Sequence, residues 1–256
     1  VADELTAARL FGFDPVDWAS NDDDPAFDIS QAVLSVPGIF VSQLATLDTL
    51  EAQRLSLEKS AVTIGHSQGA LGGHLLKDLT QAAEILAIAE LIGAAGVHAA
   101  RVNGLIRNGE LSPMVSVQGV TQEQLEEAIA ATTADSADDA TRPIIGLRNT
   151  RDSFVVVGRP DDVQRVQSFL QARAAKDAKA IANKERGGKP FAPVFNPLDV
   201  QIAFHHPAMQ SAVDQVVEWA KACGLNEELA EQCAKDVLVN PEDWVEQVNK
   251  AIDAGV

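Results

Sequence analysis

Gly65-His66-Ser67-Gln68-Gly69 is a G-x-S-x-G pentapeptide set between the apolar run Ala61-Val62-Thr63-Ile64 and the small-residue stretch Ala70-Leu71-Gly72-Gly73. A strand that turns at once into a helix crowds Cβ atoms against backbone, and glycines two before and two after the serine relieve that crowding. The spacing predicts a nucleophile elbow, with Ser67 exposed at the turn and the Gln68 N–H placed to donate to an oxyanion on a substrate carbonyl. The alternative is a tight turn carrying a solvated serine.

From Ile29 to Leu57 apolar residues recur at helical spacing, with a break at Val36-Pro37-Gly38 and an amphipathic helix over Ile39–Leu50. A strand at Ala61–Ile64 and helices at Gly69–Lys77 and Ala82–Ala100 follow. A non-alternating, buried strand in β-to-α order predicts a parallel sheet covered by helices, an α/β-hydrolase-like core. The texture changes at Pro113. Met114–Val120 is strand-like, Gln122–Thr132 helical, Pro143–Arg148 and Ser153–Val157 a hairpin, Pro160–Ala182 helical and Val194–Ile202 strand-like again. That order is a split βαβ pattern of ferredoxin-like type. The expected organisation is a core over 1–112, an inserted ferredoxin-like subdomain over 113–197, and the rest of the core over 198–256. Its helices fall at Ala208–Ala222, Asn226–Asp236 and Asp243–Ala254.

The chain has 256 residues and a formal charge of −17, from 37 acidic and 20 basic residues, which argues against binding nucleic acid through its phosphates. One stretch opposes this balance: Arg173, Lys176, Lys179, Lys184, Arg186 and Lys189 enclose only Asp177 and Glu185. It is either a phosphate-receiving surface or a solvated helix face. No charged N-terminus with a following apolar run and no uninterrupted spanning stretch is read from the sequence, so no membrane contact and a cytoplasmic location are expected. Cys223 and Cys233 lack zinc or disulfide spacing and are expected to be buried on helices. No histidine–carboxylate cluster has ligand spacing, so no metal is expected.

A nucleophilic serine needs a base. His66 lies in the elbow, where it lines the turn and is a candidate substrate contact; His74 and His98 lie on predicted helices, where structural roles are expected. His205 and His206 end the run Val200-Gln201-Ile202-Ala203-Phe204 just before Pro207, a strand-end position where remote segments converge in α/β folds. Gly65-His66-Ser67-Gln68-Gly69 together with Ala203-Phe204-His205-His206-Pro207-Ala208-Met209 resembles the acyl-CoA:acyl-carrier-protein transacylase family, with its GHSxG and downstream FHSPLM-like segments. The resemblance takes in the inserted subdomain and a Pro241-x-x-Trp244 segment. Within the family it is most similar to the acetyltransferase domain of bacterial type I fatty acid synthase, also through Leu91 to Gly96 and Arg186-Gly187-Gly188.

The resemblance implies Ser67 as nucleophile and His205 as base, with His206 the alternative. It also implies a ping-pong reaction from a coenzyme A thioester through an acyl-serine to the phosphopantetheine of an acyl carrier protein. No tightly bound cofactor is implied. Malonyl-specific relatives carry an arginine about 25 residues after the serine; here that place holds Ile92, followed by Gly93. An isoleucine cannot pair a carboxylate, so an acetyl or other short uncharged acyl group is expected, with Phe204 adding bulk beside the base. Lys184, Arg186 and Lys189 are candidates for the substrate's phosphates. The family's Gly-Gln-Gly segment is not found before Leu10, nor its Gly-Pro-Gly loop after the Pro-x-x-Trp segment. The chain is therefore expected to be a domain of a longer fatty acid synthase polypeptide, with a second oxyanion donor and the group orienting the histidine outside it. Other readings are a malonyl or palmitoyl transacylase, a serine esterase or thioesterase, and a non-enzymatic scaffold.

Overall fold

The computed structural model describes residues 30–53, 63–133 and 139–254. The sequence expectations for Ile29, Leu57, Ala61 and Val62, and for the segment before Leu10, lie outside the described residues.

Helix α1, Ala32–Ala52, runs unbroken through Pro37, against the predicted break. Pro37 withholds one N–H from the helix, but Ala32, Val36 and Phe40 are buried along one side, and that face packs on the central helix α3, Ala82–Asn103. Tertiary burial outweighs the local penalty. Helix α2, Gly69–Leu75, follows the elbow. Helices α1 and α3, the latter with its leading 3₁₀ turn from Leu79, are each long and apolar enough to span a membrane, contrary to the sequence expectation. About two-thirds of the apolar window of α3 is buried inside the fold, as befits a core helix, whereas α1 leaves Ile39 and Val41 exposed.

The middle of the chain runs β1 Met114–Gln118, α4 Gln122–Thr133, β2 Ile144–Thr150, β3 Ser153–Val157, α5 Pro160–Ala182 and β4 Val194–Pro197. The strands lie in the order β4-β1-β3-β2, all antiparallel. Period-two alternation divides the sheet between two cores. Val115, Val117, Phe154 and Val156 pack with α4 and α5 residues Leu125, Val163 and Leu170, while Met114, Val155 and Val157 face the core around α3. A bulge at Gly146 lets β2 serve both: Ile145 packs on the first side and Leu147 on the second, although strict alternation would put them on one face. A Cβ at Gly146 would lie 2.4 Å from Val157 Cγ2.

The chain then forms α6 Gln210–Cys223 and α7 Glu227–Ala234, a π-helical turn Lys235–Val239, the two-residue strand β5 Glu242–Asp243 and α8 Trp244–Asp253. Strand β5 pairs parallel with β2, Leu147 opposite Glu242 and Arg148 opposite Asp243. The α/β class expected from the sequence is the one observed; among the described residues this β2–β5 pair is the parallel pairing present, and Thr63 and Ile64 are exposed and belong to no ladder. Two expectations are corrected. The strand-like run Val194–Ile202 is a strand only to Pro197; beyond it, Ile202 makes an isolated bridge to Ile106. Cys223 is exposed at the end of α6, whereas Cys233 is buried and its thiol is pushed up to about 12, chiefly by burial.

Candidate active site

Before α2 the chain folds back on itself so tightly that a Cβ on Gly65 would lie 2.3 Å from Gly69 O. Gly69 has no such constraint: a Cβ there meets none of the described residues within 4 Å. The turn is closed by Gly69 N–H to His66 O at 2.8 Å and Ala70 N–H to Ser67 O at 2.9 Å. Ser67 itself takes the left-handed conformation, φ 55°. For a non-glycine residue this costs of order 1–3 kcal/mol and persists only where surrounding contacts enforce it.

His205 is the second such residue, φ 58°. Its segment is held from two sides, by Ala203 N–H on Leu105 O at 2.8 Å and by His206 N–H on Leu238 O at 2.9 Å. His205 N–H reaches Val237 O at 3.4 Å. The π turn makes those carbonyls available: its closing bond, Asn240 N–H to Lys235 O at 2.9 Å, spans five residues rather than four. The Asn240 carbonyl then accepts from His205 Nδ1 at 2.9 Å. A carbonyl can only accept, so in the neutral ring the proton sits on Nδ1, and Nε2 accepts from the Ser67 hydroxyl at 2.7 Å. Burial pushes the His205 pKa below its ordinary value; the Asn240 hydrogen bond and the charges of Glu242 and Asp236 pull it back up, and His66 opposes them. The ring is thus neutral at pH 7, as a proton acceptor must be. His206 is occupied elsewhere, its Nε2 on Arg142 O at 3.0 Å and its Nδ1 accepting Ala208 N–H at 3.1 Å.

Several side chains surround this pair. Glu242 Oε2 accepts the Ser67 N–H at 2.6 Å, and Gln247 Nε2 donates to Glu242 Oε1 at 2.8 Å. His74 Nε2 contacts Asp236 Oδ2 at 2.9 Å, and Asn240 Nδ2 donates to Asp236 Oδ1 at 3.2 Å, so a polar chain leads to the residue that orients His205. His66 Nε2 lies 2.8 Å from Asn149 Oδ1, and its ring meets Trp244 edge-on, 5.2 Å between centroids. Asn149 sits at the second register shift of β2, between Arg148 and Thr150, and a bulge of this kind re-aims a side chain. A cavity of about 370 Å³ opens at Ser67, lined among others by Gly65, His74, Lys77, Asp236, Asn240 and Glu242.

The other residues singled out by sequence fall in different places. The Gln68 N–H, at the start of α2, donates to no described residue. Phe204 is buried in the core next to His205. Ile92 is fully enclosed in the core around α3 and is not among the residues lining the Ser67 cavity. Lys184, Arg186 and Lys189 are exposed after α5. Lys184 takes φ 58° as the left-handed cap of that helix, with Lys184 N–H on Ile181 O and Glu185 N–H on Ala180 O. Arg186 is engaged by Asp177 at 2.5 Å, and its hydrogen bond, followed by that from Phe191 N–H, holds the Asp177 carboxyl below its ordinary range. The orienting group of the base, expected outside the chain, is Asn240 O within it. Asn149, Asn240 and Glu242 were not found by sequence reasoning; the Pro241-x-x-Trp244 segment marked the neighbourhood of the last two but not their contacts. Among the described residues no group of three or more His, Cys, Asp or Glu could hold a metal.

Residues 113–197 match the family described as Fatty acid synthase central AT domain. No curated protein matches the chain. Solved structures do. A malonyl CoA-acyl carrier protein transacylase from Clostridium perfringens is similar at 16% identity and TM-score 0.69, covering 100% of this chain and 76% of the other. An acyl carrier protein S-malonyltransferase from Vibrio cholerae O1 is similar at 20% identity and TM-score 0.64, covering 98% and 76%. A malonyl-transacylase in complex with its type II polyketide-synthase acyl carrier protein is similar at 18% and TM-score 0.67, again covering 98% and 76%. The fold is that of these transacylase structures, and in this chain it closes around a hydrogen-bonded Ser–His pair. The chain thus shares the fold of acyl-carrier-protein transacylases, and its middle segment, residues 113–197, matches the fatty acid synthase central AT domain family.

Proposed function

We propose that this chain transfers a short uncharged acyl group, acetyl, from coenzyme A to an acyl carrier protein through an ester on Ser67. The observation that carries this reading is the 2.7 Å contact between Ser67 Oγ and His205 Nε2, with the other ring nitrogen held by Asn240 O. His205 takes the Ser67 proton as Oγ attacks the thioester carbonyl, and the Gln68 N–H donates to the resulting oxyanion. Collapse expels the coenzyme A thiolate, which the imidazolium protonates. The phosphopantetheine thiol of the carrier then attacks the acyl-serine, with His205 again as base. The setting is a fatty acid synthase polypeptide in the cytoplasm. Support for that setting comes from the family match over 113–197.

The acetyl preference rests on the Glu242 carboxylate beside Ser67, which repels a second carboxylate; Ile92, enclosed in the core away from the Ser67 cavity, takes no part in it. A malonyl reading has one observation in its favour, Lys77 in the lining of the Ser67 cavity. The exposed Lys184 and Lys189 are the proposed phosphate contacts, on a loop at the sheet end that also carries Asn149; β4 and β2 are three strand spacings apart, roughly 14 Å. Arg186 shapes that loop through Asp177 rather than offering a free charge.

Trapping with labelled acetyl-CoA and malonyl-CoA in competition tests the reading. Acetyl is expected to load Ser67 and persist until a carrier thiol is added, Ser67→Ala to abolish loading, and Lys77→Ala to leave the acetyl preference intact. Release of free acetate before any thiol arrives would make the protein a hydrolase. A malonyl preference that vanishes in Lys77→Ala would reverse the acyl assignment, and absence of any label would leave a scaffold.

A further inference from the structure

The base of this site is oriented by a neutral carbonyl, so the positive charge that forms on the His205 ring has no carboxylate hydrogen-bonded to it. The nearest elements supply charge in another way. From β5, Glu242 places one carboxylate oxygen on the N–H of the nucleophile itself, at 2.6 Å, and its other oxygen is fixed by Gln247 of α8 at 2.8 Å. Both oxygens are occupied, and the strand behind them is pinned by Arg148 on Asp243 at 2.8 Å. The carboxylate is therefore held in one orientation, where the left-handed turn at Ser67 most needs a partner for an N–H that cannot join a helix or a ladder.

We propose that Glu242 is a positioning residue with two effects: it clamps the strained elbow through the Ser67 N–H, and its fixed negative charge stabilises the imidazolium that His205 becomes on taking the Ser67 proton. This rests on the Ser67–His205 pair acting as nucleophile and base. The groups facing the ring are His66 and Ser67 from the elbow, Asp236 and Asn240 from the π turn, and Glu242 from β5; His66 disfavours the added proton, while Asp236 and Glu242 favour it. Those sharing the cavity with Glu242 are His74 on α2, Lys77 just beyond its end, and Asp236, with Gln247 neutral. Of the two acids near His205, Asp236 already contacts His74 and Asn240, which leaves Glu242 as the one that also holds the nucleophile.

The probe is a fluorophosphonate, which reacts with an activated serine without any acyl-CoA, and the measurement is its rate of attachment to Ser67 in the intact protein from pH 5 to 9. Attachment in the wild type is expected to follow one ionisation, coincident with the His205 ring titration read by NMR. Glu242→Gln keeps an acceptor for Ser67 N–H and removes the charge. It is expected to move the limb to lower pH by about half a unit, a roughly threefold change in the proton affinity of the ring, and to lower the plateau rate several-fold. Glu242→Asp keeps the charge but withdraws it from the amide, and is expected to lower the plateau while leaving the limb near its wild-type position. An unmoved limb in Glu242→Gln overturns the electrostatic effect, and a wild-type plateau in Glu242→Asp overturns the clamp. Loss of cooperative thermal unfolding in Glu242→Gln would make Glu242 a structural residue and also overturn the proposal. If the wild type shows no limb, or Ser67 is never labelled, it is the nucleophile–base reading that fails.

Discussion

Ser67 and His205 both occupy the left-handed region without being glycine, and their side chains are the ones that meet. Strain at both ends of one hydrogen bond is costly unless the site is held by many contacts, here Glu242, Asn240 and the carbonyls of the π turn. His206, one residue on, is bound at both ring nitrogens to backbone and serves the segment rather than the serine. His205→Ala is therefore expected to slow acyl-serine formation by about 10²–10⁴, the range for a lost general base, in single-turnover loading. His206→Ala is expected to slow it less than about tenfold and to cost about 1–3 kcal/mol in denaturant unfolding through loss of the ring's hydrogen bonds with the Arg142 carbonyl and the Ala208 N–H. The reverse ranking in loading would transfer the base to His206. Ser67 and His205 were legible in the sequence because their chemistry demands particular side chains in particular motifs. Asn240 was not, since it acts through a carbonyl that any residue possesses, and Glu242 was not, since its contact is to a backbone N–H 175 residues away.

At the level of elements, two irregularities in β2 do what a regular strand could not. The bulge at Gly146 moves Leu147 to the face of the larger core, and the shift at Asn149 places its side chain against His66. Gly146→Ala is expected to lower stability by about 1–3 kcal/mol, because the new methyl meets the stiff, branched Val157 side chain at 2.4 Å. A change below about 0.5 kcal/mol in the denaturant midpoint would show that the strand gives way instead. The hairpin itself and helix α5 were visible in alternation and in the Pro160 start, and α5 spans Pro160–Ala182 as the sequence predicts. The bulges were not visible, because a two-residue apolar period does not show where a strand skips one pairing. The Val194–Ile202 run misled for a related reason: beyond Pro197, Leu198 and Val200 are partly covered and Ile202 buried by packing on the core, outside any strand.

In the whole molecule the sheet is shared between two cores, so the middle segment and the helices around α3 are coupled through Met114, Leu147, Val155 and Val157. His205 and His206 sit where these parts meet, both with pKa values pushed down by burial. A group depressed in the folded state adds stability that is complete above its unfolded value, about 6.5 for histidine, and is lost as pH falls through the folded value. The melting temperature is accordingly expected to be flat from pH 8 to 7 and to fall as the pH drops below about 6.5, before carboxylates such as Asp177, whose pKa is lowered, begin to protonate. His206→Gln should flatten the first part of that fall; an unchanged profile would assign the acid sensitivity elsewhere.

The π turn also fixes when the site can exist. Ser67 is translated long before its base, and the base is oriented only once Val237, Leu238 and Asn240 have formed the turn that receives it. Because a chain emerging from the ribosome folds from its N-terminal side, the serine leaves the ribosome chemically idle. The Ser–His pair comes together only after nearly the whole described fold has closed, so a product truncated before β5 carries neither the Glu242 contact on the Ser67 turn nor an oriented base.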